Sequence, residues 1–123
     1  MVDKRDVAVF GVYIAAEHLE LYSKNERLNV KFKPSCYFSS ERCEAVYRSE
    51  EKSIVFNEEW LIKADPMDVL KCGFKNVYLV HSGLEGELDI EVKHTCSDEI
   101  IQAAKQYSEK MIELFSEVDV CEQ

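Results

Sequence analysis

The stretch DPMDVLKCGFKNVYLVHSG, running from Asp65 to Gly83, decides how the rest of the chain is read. Asp65 is a good N-cap, Pro66 suits the first helical position, Asp68 suits the first turn, and Gly83 is placed to end a helix. Between these marks Met67, Val69, Leu70, Cys72, Phe74, Val77, Tyr78, Leu79 and Val80 leave almost no polar face. A helix apolar nearly all round is wrapped by other elements. The spacing therefore predicts a buried central helix.

Upstream, Asp6 to about Ser23 predicts a first helix, with Val7, Phe10, Ile14 and Leu21 on one stripe, widened by Val9, Val12, Ala16 and Leu19. Gly11 inside it costs about 1 kcal/mol against Ala and marks a close approach to a neighbour. A face this wide implies deep burial or a partner, a second copy included. Leu28, Val30 and Phe32 alternate with Asn29, Lys31 and Lys33 up to Pro34, which reads as a strand. Cys36 to Arg42 reads as a loop. Glu44 to Arg48 and Ser53 to Asn57, joined by Ser49, Glu50, Glu51 and Lys52, read as an antiparallel hairpin. Glu58 to Ala64 is a short apolar connector with Trp60 in the core.

After Gly83, Glu87 to Lys93 alternates as a fourth strand or an extended connection. From a cap at Ser97, Ile101, Ala104, Met111, Leu114, Phe115 and Val118 keep helical spacing to about residue 118. The expected architecture is a single α+β domain over residues 1–123. It has an N-terminal helix, a small mostly antiparallel sheet of three to four strands, the buried central helix and a C-terminal amphipathic helix.

Fifteen Lys and Arg against 24 Asp and Glu give a net charge of −9. Such a balance argues against direct binding to nucleic acid, because phosphate affinity comes from basic side chains. It fits a soluble protein, or a decoy whose acidic surface occupies a basic nucleic-acid channel. Five cysteines (Cys36, Cys43, Cys72, Cys96 and Cys121), with no C-x-x-C pair and no signal-peptide pattern, read as reduced thiols in the cytoplasm. No apolar run reaches the roughly 18–20 residues of a membrane span.

The chemistry-bearing residues are sparse. Glu85, Glu87, Asp89 and Glu91 form a carboxylate strip whose members look equally solvated, whereas acid–base catalysis needs unequal environments. His81, His94, Cys72 and Cys96 could form a soft metal site only by converging in space, since H-x-C lacks the tight ligand pairs of zinc motifs. There is no glycine-rich phosphate loop and no G-x-S-x-G elbow, so no cofactor is expected.

The run SIVFNEEWLIKADPMDVLKCGFKNVYLVHS, residues 53 to 82, resembles zinc metallopeptidase-like proteins of the ImmA/IrrE type, gluzincin-like domains often carried by phages and other mobile elements. In that family a helix following such an extended segment carries F-H-E-x-x-H. Here Phe74 matches the residue before the motif, but Lys75, Asn76 and Leu79 stand where the two histidines and the glutamate would be. Neither the zinc ligands nor the proton acceptor is present, and Glu109, Glu113 and Glu117 on a later helix cannot replace two imidazoles. The resemblance implies a catalytically dead scaffold, plausible in a mobile-element regulatory or inhibitory system. Its candidate binding groove is lined by Lys75, Asn76 and Leu79, with a protein as partner. The same run also reads simply as the interior of a buried helix. The alternatives are an enzyme with a metal or thiol site around His81, His94 and Cys96, or the acidic decoy.

Overall fold

The computed structural model describes residues 3–21, 28–38, 43–48, 50–83, 86–87 and 98–122, with backbone alone for 86–87, 98, 101 and 115–122. The fold is α+β. The first helix, α1, is Lys4–His18. It starts two residues earlier than the apolar pattern suggested because Asp3 caps it, its carboxylate accepting from Arg5 N–H at 2.9 Å. It also stops earlier than Ser23, where Glu20 turns into the left-handed region at φ 58°. Leu21 nonetheless reaches the core.

The strands are β1 (Asn29–Lys33), β2 (Ala45–Arg48), β3 (Ser53–Asn57) and the two-residue β4 (Gly86–Glu87), with a 3-10 turn at Ser35–Tyr37 in the expected loop. They lie in the order β1-β3-β2-β4. The hairpin pairs β2 and β3 antiparallel, Val46 opposite Val55, and β4 adds antiparallel to β2. β1 pairs with β3 in parallel, Val30 opposite Ile54 and Phe32 opposite Phe56. The sheet is thus mostly antiparallel, as expected, with a parallel edge that alternation within one strand could not reveal. Past Glu87, the proposed fourth strand to Lys93 lies outside the described residues, as does the Ser97 cap.

The connector Glu58–Lys63 is itself a helix, α2. Asn57 makes it one. Its Oδ1 accepts from Glu59 N–H at 3.0 Å, Trp60 N–H at 3.4 Å and Ser35 Oγ–H at 3.0 Å, while Nδ2 donates to the Cys43 carbonyl at 3.0 Å. One buried side chain thus ends β3, caps α2 and ties down the segments before β2 and after β1. Six residues are too few for a helical period to show in sequence. Trp60 sits at the core margin rather than inside it, and Ile62 points outward.

The central helix, α3, is Pro66–His81. Asp65 occupies the N-cap without a side-chain hydrogen bond, and Gly83 follows the C-terminus at φ +76°, its N–H bonded to the Val80 carbonyl. α3 packs between α1, the sheet and the last helix, α4 (Asp98–Glu122). Ala8, Val12, Ala15 and Ala16 of α1, Val69, Cys72, Phe74 and Val77 of α3, Ile54 and Phe56 of β3, and Met111 of α4 form the main core. Val55 faces the other side of the sheet and joins Phe38, Cys43 and Val46 in a second, smaller cluster. Burial on both faces explains why β3 is apolar without alternation.

Candidate functional site

The three residues expected to line a groove are brought to one region of α3 but not to a surface. Asn76 and Leu79 are each 1% exposed. A solvent-filled groove lined by Lys75, Asn76 and Leu79 is therefore not what the fold builds, because the helix turns positions 76 and 79 inward. Lys75 lies at the margin, its Nζ 3.6 Å from the Glu44 carboxylate just before β2. That ion pair joins α3 to the hairpin across a partly buried boundary. Asn76 donates from Nδ2 to the Cys72 carbonyl at 2.9 Å, one helical turn back, and its buried Oδ1 has no hydrogen-bond partner. An orphan acceptor in a core is an expensive feature.

Of the groups considered for a metal or thiol site, Cys72 is buried and His81 is exposed, while His94 and Cys96 lie outside the described residues. Among the described residues no three His, Cys, Asp or Glu side chains are placed to hold a metal ion. Cys36 is exposed, and Cys43, like Cys72, is buried. Of the carboxylate strip only the backbone of Glu87 is described. Glu109 and Glu113 are solvent-exposed on α4.

His81 belongs to a different grouping. Its ring lies 6.2 Å from that of Tyr78, Tyr78 lies 5.3 Å from Tyr107 of α4, and the Tyr107 hydroxyl is 3.1 Å from Nδ1 of His18 at the end of α1. Burial pushes the Tyr107 phenol up from its ordinary value to about 12. This row of rings joins the C-terminal ends of α1 and α3 to α4.

An apolar opening lies at the other end of the helices. Val7 and Phe10 of α1 and Pro66, Met67 and Leu70 of α3, with Asp6 at the edge, enclose a groove of about 550 Å³. Phe10 is 49% exposed and Met67 44%. Beside it, Asp3, Lys4, Arg5, Glu58, Leu61 and Ile62 line a second, smaller depression, and Ile62 is 74% exposed. α1 and α2 are tied there by Lys4 Nζ donating to the Ile62 carbonyl at 2.6 Å, and Arg5 pairs with Glu58 at 3.7 Å while lying over the Phe32 ring. Sequence reading registered the excess apolar width of α1 but not this groove, which arises only when Phe10 and Met67, 57 residues apart in the chain, meet across two helices. Exposed Tyr13, one turn beyond Phe10, continues the same side of α1.

No helix among the described residues is long and apolar enough to cross a membrane. Comparison with known protein families, characterised proteins and solved structures gives no significant match.

Proposed function

We propose that this chain is a non-catalytic, cytoplasmic binding domain whose partner is another protein, and that it binds through the groove between the N-terminal halves of α1 and α3. The observation that carries this reading is the presence of Phe10 and Met67, both large and half-exposed, on one apolar groove. Scattered exposed apolar residues are ordinary, but a contiguous set around a concavity is a recurrent mark of interaction sites. The odd number of cysteines, five, with no C-x-x-C pair supports the cytoplasmic part.

Magnitudes limit the kind of binding. Covering the exposed halves of a Phe and a Met removes roughly 150–200 Å² of apolar surface, worth about 4–5 kcal/mol. Association costs at least about 4 kcal/mol in lost freedom. The two anchors alone therefore support only weak, reversible binding, and neighbouring Tyr13 and Ile62 or polar contacts must add to it.

The test is a photo-crosslinking side chain placed at position 10, at position 67, and at exposed Lys105 on α4 as the control, in the cell that makes the protein. A discrete protein adduct at 10 and 67 and none at 105 is expected. The purified adduct partner should then lose at least about tenfold in affinity for the Phe10→Ser/Met67→Ser variant, as truncated anchors do. Adducts equal at all three sites, or none at 10 and 67, would remove the reading. Lys75→Ala, which opens the ion pair to Glu44, should leave that affinity unchanged and so separates this face from the α3 position expected from sequence.

A further inference from the structure

We propose that the outer edge of β1 is a second docking surface, separate from the groove, and that its occupant is an extended strand of another protein with carboxylates on alternate residues. The sheet ends at β1. Asn29 N–H donates to the Lys52 carbonyl at 2.9 Å, and in the register that sets Asn29 opposite Ser53 this turns the N–H and C=O of Asn29, Lys31 and Lys33 toward β3. The N–H and C=O of Val30 and Phe32 therefore point outward, where they have no backbone partner among the described residues. Such a row of alternating donors and acceptors is what an added strand pairs with.

The register also fixes which side chains that strand would meet. Lys31 lies opposite Val55, on the face of the sheet turned away from α1 and α3, and Lys33 shares that face, whereas Val30 and Phe32 lie against the main core. Side chains of a docked strand sit about 5 Å from their cross-strand neighbours, so on the outward face the closest charges are the two ammonium groups. β1 itself carries no acidic residue. Lys33 is exposed and has no ion pair among the described residues. Lys31 reaches Glu51 at 3.4 Å, but both side chains are half-exposed, and a pair of that kind is weak enough to be shared. On the core face Arg5 lies over the Phe32 ring, its charge shared with Glu58 at 3.7 Å. The net charge of −9 opposes an acidic ligand at a distance, yet beyond a Debye length of about 8 Å it is screened, and within that range the two lysines are nearest.

Lysines on a short edge strand that runs into Pro34 have an ordinary explanation, since they keep sheet edges from pairing with one another. That explanation narrows the choice of occupant. Antiparallel pairing of β1 with β1 of a second copy, in the register that uses the outward groups of both Val30 and Phe32, sets Lys31 directly against Lys31, an unfavourable opposition. A wholly apolar strand would desolvate both ammonium groups without a compensating partner. A strand that alternates Glu or Asp with apolar residues meets neither cost.

Nuclear magnetic resonance with amide exchange on the full chain provides the test, in two steps. In the free chain the Val30 and Phe32 amides should exchange at least about tenfold faster than that of Lys31, which is turned to β3. Heptapeptides alternating Val with Glu, Thr or Lys are then titrated. The Glu peptide should shift the β1 resonances saturably, slow exchange at Val30 and Phe32, and bind about fivefold tighter than the Thr peptide, as two exposed cross-strand ion pairs would give. The Lys peptide should bind most weakly. Lys31→Glu/Lys33→Glu should reverse that order, with circular dichroism confirming the fold. Phe10→Ser/Met67→Ser should leave it unchanged, so this edge and the groove stand or fall separately.

Val30 and Phe32 amides as slow as that of Lys31 in the free chain would mean that the edge is already covered, and would overturn the proposal. Equal affinities for the Glu and Thr peptides, no binding by any peptide, or a Glu-peptide response centred outside β1 would overturn it too. Self-association abolished by Lys31→Glu/Lys33→Glu would make a second copy the occupant and overturn it likewise.

Discussion

Asn57 and Asn76 are both buried asparagines with opposite balances. Asn57 uses both ends of its amide, accepting three hydrogen bonds and donating one. Asn76 donates to the carbonyl one turn back and leaves Oδ1 without a partner. Removing Asn57 loses a helix cap, worth about 1 kcal/mol, together with its hydrogen bonds to the Cys43 carbonyl and the Ser35 hydroxyl, at about 1 kcal/mol each. Asn57→Ala should therefore destabilise by roughly 3 kcal/mol. Asn76→Leu should do the reverse, raising stability by about 1 kcal/mol, because it deletes an orphan acceptor and fills similar space with carbon. Urea unfolding of the two variants checks both signs in one experiment. A loss of stability in Asn76→Leu would mean that the amide has a role in the core beyond its hydrogen bonds to the carbonyl and sulfur of Cys72.

Among elements, the α1–α3 contact shows what sequence could and could not say. Gly11, read as a point of close approach, is one: a Cβ there would lie 3.2 Å from Leu70 Cδ2. Gly73 is the reciprocal position, where a Cβ would meet the Val12 nitrogen at 3.5 Å and the Gly11 carbonyl carbon at 3.6 Å. Those are ordinary contact distances, so a methyl group fits. Gly73→Ala should then gain the helix-propensity difference, about 1 kcal/mol, and raise the melting temperature by several degrees. Gly73→Val should lower it, because a branched side chain must displace α1 backbone. The central helix and the hairpin were legible because period and turn residues carry them locally, whereas of the apolar stripe expected on α4 Ala104 and Met111 are buried and Leu114 is exposed. The parallel β1–β3 pairing and α2 were not, since one depends on a remote partner and the other on the single side chain of Asn57. The candidate groove of Lys75, Asn76 and Leu79 failed for a related reason: helical spacing places residues on one face but does not say whether that face meets water or core.

Across the whole molecule, the groove lies at one end of α1 and α3 and the ring cluster at the other. Tyr107 couples that second end to pH. Its phenol is raised from about 10 to about 12 because the partly buried site disfavours the ionised form. Between those two values the unfolded chain loses the proton while the folded chain keeps it. The contribution is thus complete below pH 10 and is lost as pH rises toward 12. A shift of two units sets a ceiling near 2.7 kcal/mol, and solvent access to the ring reduces the expected loss to about 1 kcal/mol by pH 11. Tyr107→Phe removes this dependence together with the hydroxyl contact to His18. At pH 9 the variant should be less stable than the natural chain by about 1 kcal/mol, the net value of one hydrogen bond. At pH 11 the difference should close, because only the natural chain has lost the Tyr107 contribution. Urea midpoints for both proteins at the two pH values measure it. A gap that stays constant would mean that the Tyr107 phenol titrates alike in the folded and unfolded chains, and that the join between α1, α3 and α4 is held by ring packing alone.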